Sequence, residues 1–379
     1  MMQVDIWQRE LGEHRITAIE YYAPRTIYPR LLGMNAIKGY HGFGPILKVA
    51  MLTTNLGATG WGTLCQSIND AKRVEGILLN ASLDSLFSVD VGILNDEIKA
   101  FDIAIHDLAG RILNLPVSHM INPNAESHVR AYDGAIYMND LIPESNPAGV
   151  DRVLRECADD YEMGHRSLKV KIGRGNKWME HQKGMLRDIE VVRAIHRNFP
   201  DVTLLVDAND GYTLEDCFAF LNGIEDIPLY WLEEPFRECE ENNRLLRDYL
   251  YANRPTTLIA DGESFTDIPL LFDLAEKKLL DVWMPDVRDY GFTAWRKLLK
   301  KIVPLGYLSS PHAWGEVLKT HYCLHLAAAY PHHIPVVETV LGYTEGIDCS
   351  GYILKNGVFS VPTKPGFGMD FVWAEQVKQ

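Results

Sequence analysis

Hydrophobic positions follow two regimes that meet near Val129. In the first, strand-like runs come early: residues 16–22, residues 45–54, and a third strand entered through the glycine-rich turn Gly57-Ala58-Thr59-Gly60-Trp61-Gly62. Helical spacing follows over residues 68–79. It returns over residues 95–113, where Ile98, Phe101, Ile105, Leu108 and Ile112 recur at steps of three and four. A long loop, residues 24–44, separates the first two strands and carries Arg25, Arg30, Tyr40 and His41. Loops of that length without regular structure are often lids over a site.

From Val129 onward, short apolar strands alternate with amphipathic helices. The strands predicted are residues 129–137, 167–173, 202–207, 229–233, 257–263, 281–286, 307–312 and 334–338. Helices are predicted between most of them, over residues 185–197, 214–223, 267–277, 293–303 and 317–329. Strand–helix alternation implies a parallel sheet. Eight strands in about 210 residues fit a closed α/β barrel better than an open sheet. In the second strand, Leu168, Val170 and Ile172 alternate with Lys169 and Lys171, so two ammonium groups share one face. That is costly without acids to balance it. The strand is either an edge with a solvated face or an active-site strand in which one lysine depresses the pKa of the other. The tail, residues 351–379, returns to strand-like and loop character.

Composition narrows the function. The 379 residues are 47% hydrophobic and 23% charged, as in soluble globular chains. A net charge of −14 disfavours nucleic acid or an anionic membrane as partner, while leaving room for an anionic small molecule in a pocket of opposite local potential. The six dispersed cysteines form no CxxC pair, which argues for free thiols in a reducing compartment. The first residues carry no apolar signal segment and no run approaches a membrane span, so the expected location is the cytoplasm.

The strand ends carry the chemistry. Leu204-Leu205-Val206 ends in Asp207, Tyr230-Trp231-Leu232 in Glu233-Glu234-Pro235, and Leu258-Ile259-Ala260 leads into Asp261-Gly262-Glu263. In a closed barrel these ends form one rim. Three converging carboxylates repel unless a cation sits between them, and all-oxygen ligation favours Mg²⁺, with Mn²⁺ next. The next strands end in Asp286, His312 and Glu338. Asp286 is placed to fix the tautomer of His312 and aim its other nitrogen at the pocket. Lys171 and His312 then approach a central substrate from opposite sides, and the natural substrate is a carboxylate. Lys169 and the cation withdraw charge from it, so that the proton α to the carboxylate becomes removable. A protonated Glu338 is placed to donate a hydrogen bond to a carboxylate oxygen.

With these residues in place, the chain resembles the enolase superfamily in its mandelate racemase subgroup, and more narrowly that subgroup's acid-sugar dehydratases. The resemblance rests on Lys169-Val170-Lys171, Val206-Asp207-Ala208-Asn209, Trp231-Leu232-Glu233-Glu234-Pro235, Gly262-Glu263, Met284-Pro285-Asp286 and Ser310-Pro311-His312. Asp107-Leu108-Ala109-Gly110 and Pro365-Gly366-Phe367-Gly368 add to it. It implies a modified (β/α)7β barrel over residues 126–340. An N-terminal α+β capping domain, residues 1–125, would be completed by the C-terminal segment, residues 341–379. It implies one Mg²⁺ on Asp207, Glu233 and Glu263, Lys171 and the His312–Asp286 pair as acid/base catalysts, Asn209 near the substrate and Glu234 behind the ligands. Specificity loops are implied at residues 24–44, with Tyr40, His41 and Arg25 as substrate contacts, and at residues 55–62. A homo-oligomer is also implied. Polar and cationic loop walls suit a polyhydroxy acid.

The expected activity is dehydration of a sugar acid (an aldonate or aldarate) to a 2-keto-3-deoxy acid. Racemisation or epimerisation of a 2-hydroxy acid uses the same rim and is the alternative. A non-catalytic barrel serving as a binding module is the third reading, and it would typically lack one of the rim residues, none of which is missing here.

Overall fold

The computed structural model describes residues 2–372; Met1 and residues 373–379, the end of the expected C-terminal segment, lie outside the described residues. Eight parallel strands lie side by side in chain order: His128–Ile136, Ser167–Lys171, Thr203–Asp207, Leu229–Glu233, Leu258–Asp261, Val282–Trp283, Leu308–Ser309 and Val337–Thr339. The eighth pairs back onto the first through Val337 and Ala131. Between the seventh and eighth, Ser309 N donates to His333 O at 2.7 Å and Ser310 Oγ to Val336 O at 3.0 Å. The arrangement is consistent with a TIM-type barrel.

Alternation along the strands sorts the side chains. Leu168 and Val170 join the large core shared with Val191, Val192 and Ile195 of the covering helix His181–Asn198. Tyr132, Leu205, Trp231, Ala260 and Val282 form a separate interior cluster. Lys169 is on the interior side, its ammonium 5.5 Å from the centre of the Tyr132 ring. The edge-strand alternative for this segment is therefore excluded.

Helices Val150–Glu162, His181–Asn198, Leu214–Gly223, Glu240–Asn253, Ile268–Glu276, Phe292–Ile302 and Val317–Ala329 occupy the connections. The second begins earlier than periodicity predicts because the Glu180 carboxylate accepts from Gln182 N and Lys183 N. Five strands end earlier than predicted, the first and second at Ile136 and Lys171. The later ladders stop at Asp261, Trp283 and Ser309, and Pro285 and Pro311 offer no N–H to extend the last two. Asp286 and His312 still face each other as an isolated parallel bridge.

The N-terminal section holds an antiparallel sheet of Ile16–Tyr22, Val49–Thr54 and Thr59–Thr63. A helix, Met2–Gly12, precedes it unannounced. The helix predicted over residues 95–113 is split into a 3₁₀ segment, Asp96–Phe101, and an α-helix, Asp102–Ile112. Two glycines of the 57–62 turn serve packing: a Cβ on Gly60 would lie 2.3 Å from Leu108 Cα and one on Gly62 2.5 Å from Ile103 Cγ2, whereas Gly57, at φ of +82° with nothing within 4 Å, serves the turn itself.

The tail returns to both parts. Val358–Ser360 pairs with the start of the first barrel strand, and Gly366 bridges Pro116. Asp107 joins the pieces, accepting from Trp61 N at 3.0 Å, Phe367 N at 2.9 Å and Arg111 Nε at 2.6 Å. The six cysteines are free. No helix of the described residues is long and apolar enough to cross a membrane.

Candidate active site

The second strand brings Lys169 and Lys171 to the rim, both buried. Lys169 Nζ donates to Glu233 Oε1 at 2.5 Å and pairs with Glu338 Oε1 at 2.8 Å and Asp207 Oδ2 at 3.4 Å. Lys171 Nζ donates to Asp207 Oδ2. Asp207 is fixed by Asn209 N at 2.8 Å and Glu233 by Trp231 Nε1 at 2.8 Å. Burial and Lys169 both press the Lys171 ammonium toward the free amine, but Asp207 and the other carboxylates hold it above its ordinary value. The depressed Lys171 expected from its neighbouring lysine is therefore not realised by the protein groups alone. Asp207 is held well below the usual carboxylate range by Lys171 and Lys169, against the cost of its burial.

Glu263 stands two residues past the fifth strand and reaches back to the same place. Oxygens of Asp207, Glu233 and Glu263 lie within 4.8 Å of one another. Glu263 Oε2 is buried without a hydrogen-bond partner among the described residues. With Glu338 beside them, the carboxylates outnumber the two lysines that face them. Hard oxygen donors, surplus negative charge and an orphaned buried oxygen are what a divalent cation satisfies. Glu234 is not among the clustered ligands: burial and the neighbouring Glu263 push its carboxyl up, and it accepts from Ser264 N at 2.6 Å and from Asn209 Nδ2 at 3.4 Å.

Across the rim, His312 Nδ1 donates to Asp286 Oδ2 at 2.9 Å, leaving Nε2 3.2 Å from Glu263 Oε1. Despite burial, Glu263, Glu338 and Asp286 raise the imidazole above its ordinary value. Asp286 carries more than the histidine. Lys319 Nζ donates to the same Oδ2 at 2.6 Å, while Arg288 N and Asp289 N donate to Oδ1 at 2.9 and 3.0 Å. Glu338 accepts from Ala313 N at 2.9 Å. Burial pushes its carboxyl up, but Lys169 and His312 draw it down to about 2. The protonated Glu338 expected as a donor is corrected accordingly: it is an acceptor anchored between a lysine and a backbone amide.

These groups open onto a cavity of about 490 Å³. Tyr40 and His41 line it, as do Lys171, Asn209, Glu263 and His312. His41 Nδ1 donates to Gly33 O at 2.8 Å, its ring is 4.6 Å from Tyr137, and burial draws it down to about 4. Tyr40 is exposed and donates to Glu144 Oε1 at 3.4 Å. Arg25 does not line the cavity: it bridges Ile46, and its carbonyl accepts from Glu345 N. Residues 55–62 do not line it either. Sequence reasoning missed Lys319, Arg288, Glu316, Tyr137 and Trp314, all of which do. Trp314 and Glu316 follow closely on His312, and that proximity is the one signal the chain offered for them.

Comparison with known proteins shows which chains share this fold. Crystal structures of galacturonate dehydratase from Geobacillus sp. superpose closely. One, complexed with D-galacturonate and 5-keto-4-deoxy-D-galacturonate, has a TM-score of 0.85 at 31% identity, covering 95% of this chain and 95% of that one. A variant of the same enzyme, complexed with Mg, has a TM-score of 0.86 at 30% identity, covering 95% and 93%. D-galactarolactone cycloisomerase from Agrobacterium fabrum is 24% identical over 82% of this chain and 80% of its own. Relatives of this chain are thus sugar acid dehydratases and cycloisomerases. The family described as Enolase C-terminal domain-like matches residues 152–375, more than half of the sequence and the part that carries the carboxylates, the lysines and His312, and the chain belongs to that family, within the enolase superfamily.

Proposed function

We propose that this chain is a Mg²⁺-dependent sugar acid dehydratase, a hydro-lyase acting on a small polyhydroxy carboxylate. One observation carries the reading. Lys171 and His312 reach a single cavity from the second and seventh strands, with the cluster of Asp207, Glu233 and Glu263 between them. The kinship with sugar acid dehydratases supports it. The architecture is read as a (β/α)7β barrel, residues 126–340, under a cap of residues 1–125 and 341–379.

Asp207, Glu233 and Glu263 would hold Mg²⁺, with Mn²⁺ the next candidate. Bound there, the cation supplies Lewis-acid polarisation of the substrate carboxylate. Lys169 is the electrostatic partner of that carboxylate and of the enediolate that proton removal creates. Lys171 or His312 takes the α-proton, according to the configuration at that carbon. Lys169 opposes the charge on Lys171 and Asp207 supports it, so committing Asp207 as a ligand tips Lys171 toward the free amine. Asp286 holds the proton on His312 Nδ1 and leaves Nε2 for the cavity. Protonated His312 gives its Nε2 proton to the departing β-hydroxyl, which leaves as water. The resulting enol takes a proton at carbon and becomes the 2-keto-3-deoxy acid. Asn209 and His41 line the substrate's path.

The test is incubation with aldonates, uronates and aldarates in Mg²⁺, trapping keto acid product with semicarbazide, in ordinary water and in D₂O. A trapped 2-keto-3-deoxy acid is the expected result. Deuterium entering the α-position with no keto acid formed would instead establish a racemase or epimerase using the same two groups.

A further inference from the structure

One wall of the cavity, continuing from His312, is built by the segments that follow the sixth and seventh strands. Arg288 Nη1 donates to Glu316 Oε1, and its Nη2 lies 2.8 Å from Asp289 Oδ1. Lys319 is committed to Asp286 and, at 3.0 Å, to the Trp314 carbonyl. Lys171 is committed to Asp207. Of the cationic side chains lining the cavity, Lys38, exposed at the rim, is the one with no carboxylate partner among the described residues. No free guanidinium or ammonium waits inside for a second carboxylate.

A carboxylate waits there instead. Glu316 is 6% exposed, and its Oε2 has no hydrogen-bond partner among the described residues. It occupies the N-cap position of helix Val317–Ala329, yet its side chain makes no cap hydrogen bond. Helix capping therefore does not explain it, and an orphaned buried oxygen costs free energy until a donor arrives. Beside it stands an aromatic wall. Trp314 is 6.0 Å from Tyr28 and 5.0 Å from Tyr137 between ring centres, an apolar surface for the C–H face of a sugar.

We propose that Glu316, held by Arg288, is a specificity-determining residue that accepts a hydrogen bond from a distal substrate hydroxyl and repels a second carboxylate. The substrate is then a sugar acid with a single carboxylate, an aldonate or a uronate, and aldarates are rejected. This deepens, and rests on, the dehydratase reading above. A hydroxyl satisfies Oε2 directly. A distal carboxylate brings like charge into a buried site where every interior cation is already paired.

The experiment uses matched aldonate, uronate and aldarate in the galacto, gluco and manno series with the Mg²⁺-loaded protein. Binding is measured by calorimetry and turnover by keto acid trapping. In the series that binds best, the monoacid should be favoured over the diacid by at least about tenfold. Glu316→Gln should narrow that ratio by about tenfold, while Glu316→Asp, which keeps the charge, should preserve the rejection. Circular dichroism confirms that each variant is folded. Equal affinity for diacid and monoacid, a ratio untouched by Glu316→Gln, or no binding in any series overturns the proposal. A monoacid preference in binding without keto acid formation overturns the dehydratase reading and leaves the specificity role standing. Dehydration of diacid and monoacid alike does the reverse.

Discussion

Asp286 is gripped from three directions: by the His312 ring, by the Lys319 ammonium and by two backbone amides. A lone carboxylate in that place would be free to rotate away from the imidazole. Lys319, buried in the first turn of its helix, removes that freedom and keeps the carboxyl far below the usual range, helped by His312. Lys319→Met leaves a buried carboxylate short of a partner. We expect a thermal midpoint lower by several degrees and about tenfold slower turnover, with KM little changed, read by calorimetric scanning and steady-state kinetics. Lys171→Ala is the sharper case. Its ammonium touches one carboxylate and faces the cavity. Turnover should fall by about a thousandfold with the circular dichroism spectrum unchanged; a variant that still turns over at wild-type rate removes Lys171 from the chemistry.

Helix Val317–Ala329 is buried along its whole length, and this has a cost in acid. His325 Nδ1 accepts from Ser118 N at 3.0 Å, so its Nε2 carries the proton and donates to the Tyr352 hydroxyl at 2.8 Å, which in turn donates to Phe367 O. His321 Nδ1 is buried with no hydrogen-bond partner among the described residues. Burial draws both to about 3, and His165 to about 4. The unfolded chain binds these protons first, so stability is full above about pH 6.5 and is lost as the pH falls toward the folded values. By pH 5 each histidine costs about 2 kcal/mol. His321→Asn should flatten the decline of the thermal midpoint between pH 7 and 5 relative to wild type, and parallel curves would refute that account. The same scale explains what could be read in advance. The rim residues were legible because each follows an apolar run whose period fixes the strand. Lys319 and Arg288 were not, since nothing local separates them from surface charges, and Glu316 had only its closeness to His312 to mark it. Within the loop of residues 24–44, only bonds such as Leu32 N to Gly42 O bring Tyr40 and His41 over the cavity while Arg25 lies aside. The helix Met2–Gly12 buries Leu11 and little else, so it left no clear apolar stripe to find.

Across the whole molecule, the C-terminal segment from residue 341 onward meets the N-terminal section at several places, and two of them bear on the cavity. One is Gly366 and Phe367 on Asp107. The other is Tyr343–Thr344, which pairs antiparallel with Thr26–Ile27 at the root of the loop that carries Tyr40 and His41. Breaking the first tie should therefore matter to the cavity as well as to stability. Gly366 has φ of +68°, and a Cβ there would sit 2.1 Å from Asp107 Oδ1, inside the cluster of bonds that joins helix Asp102–Ile112 to the tail. Gly366→Ala thus adds a clash to the backbone strain, and we expect a loss of about 3 kcal/mol. Gly306, with φ of +77° and nothing within 4 Å of a Cβ, isolates the strain alone; its Ala variant should lose about 1 kcal/mol. If the tail seats the loop over the cavity, Gly366→Ala raises KM for the sugar acid several-fold with a smaller change in kcat, and Gly306→Ala leaves both unchanged. Equal stability losses in the two variants would mean that Asp107 yields to the added methyl. An unchanged KM in a destabilised Gly366→Ala would mean that the loop is seated by the barrel alone.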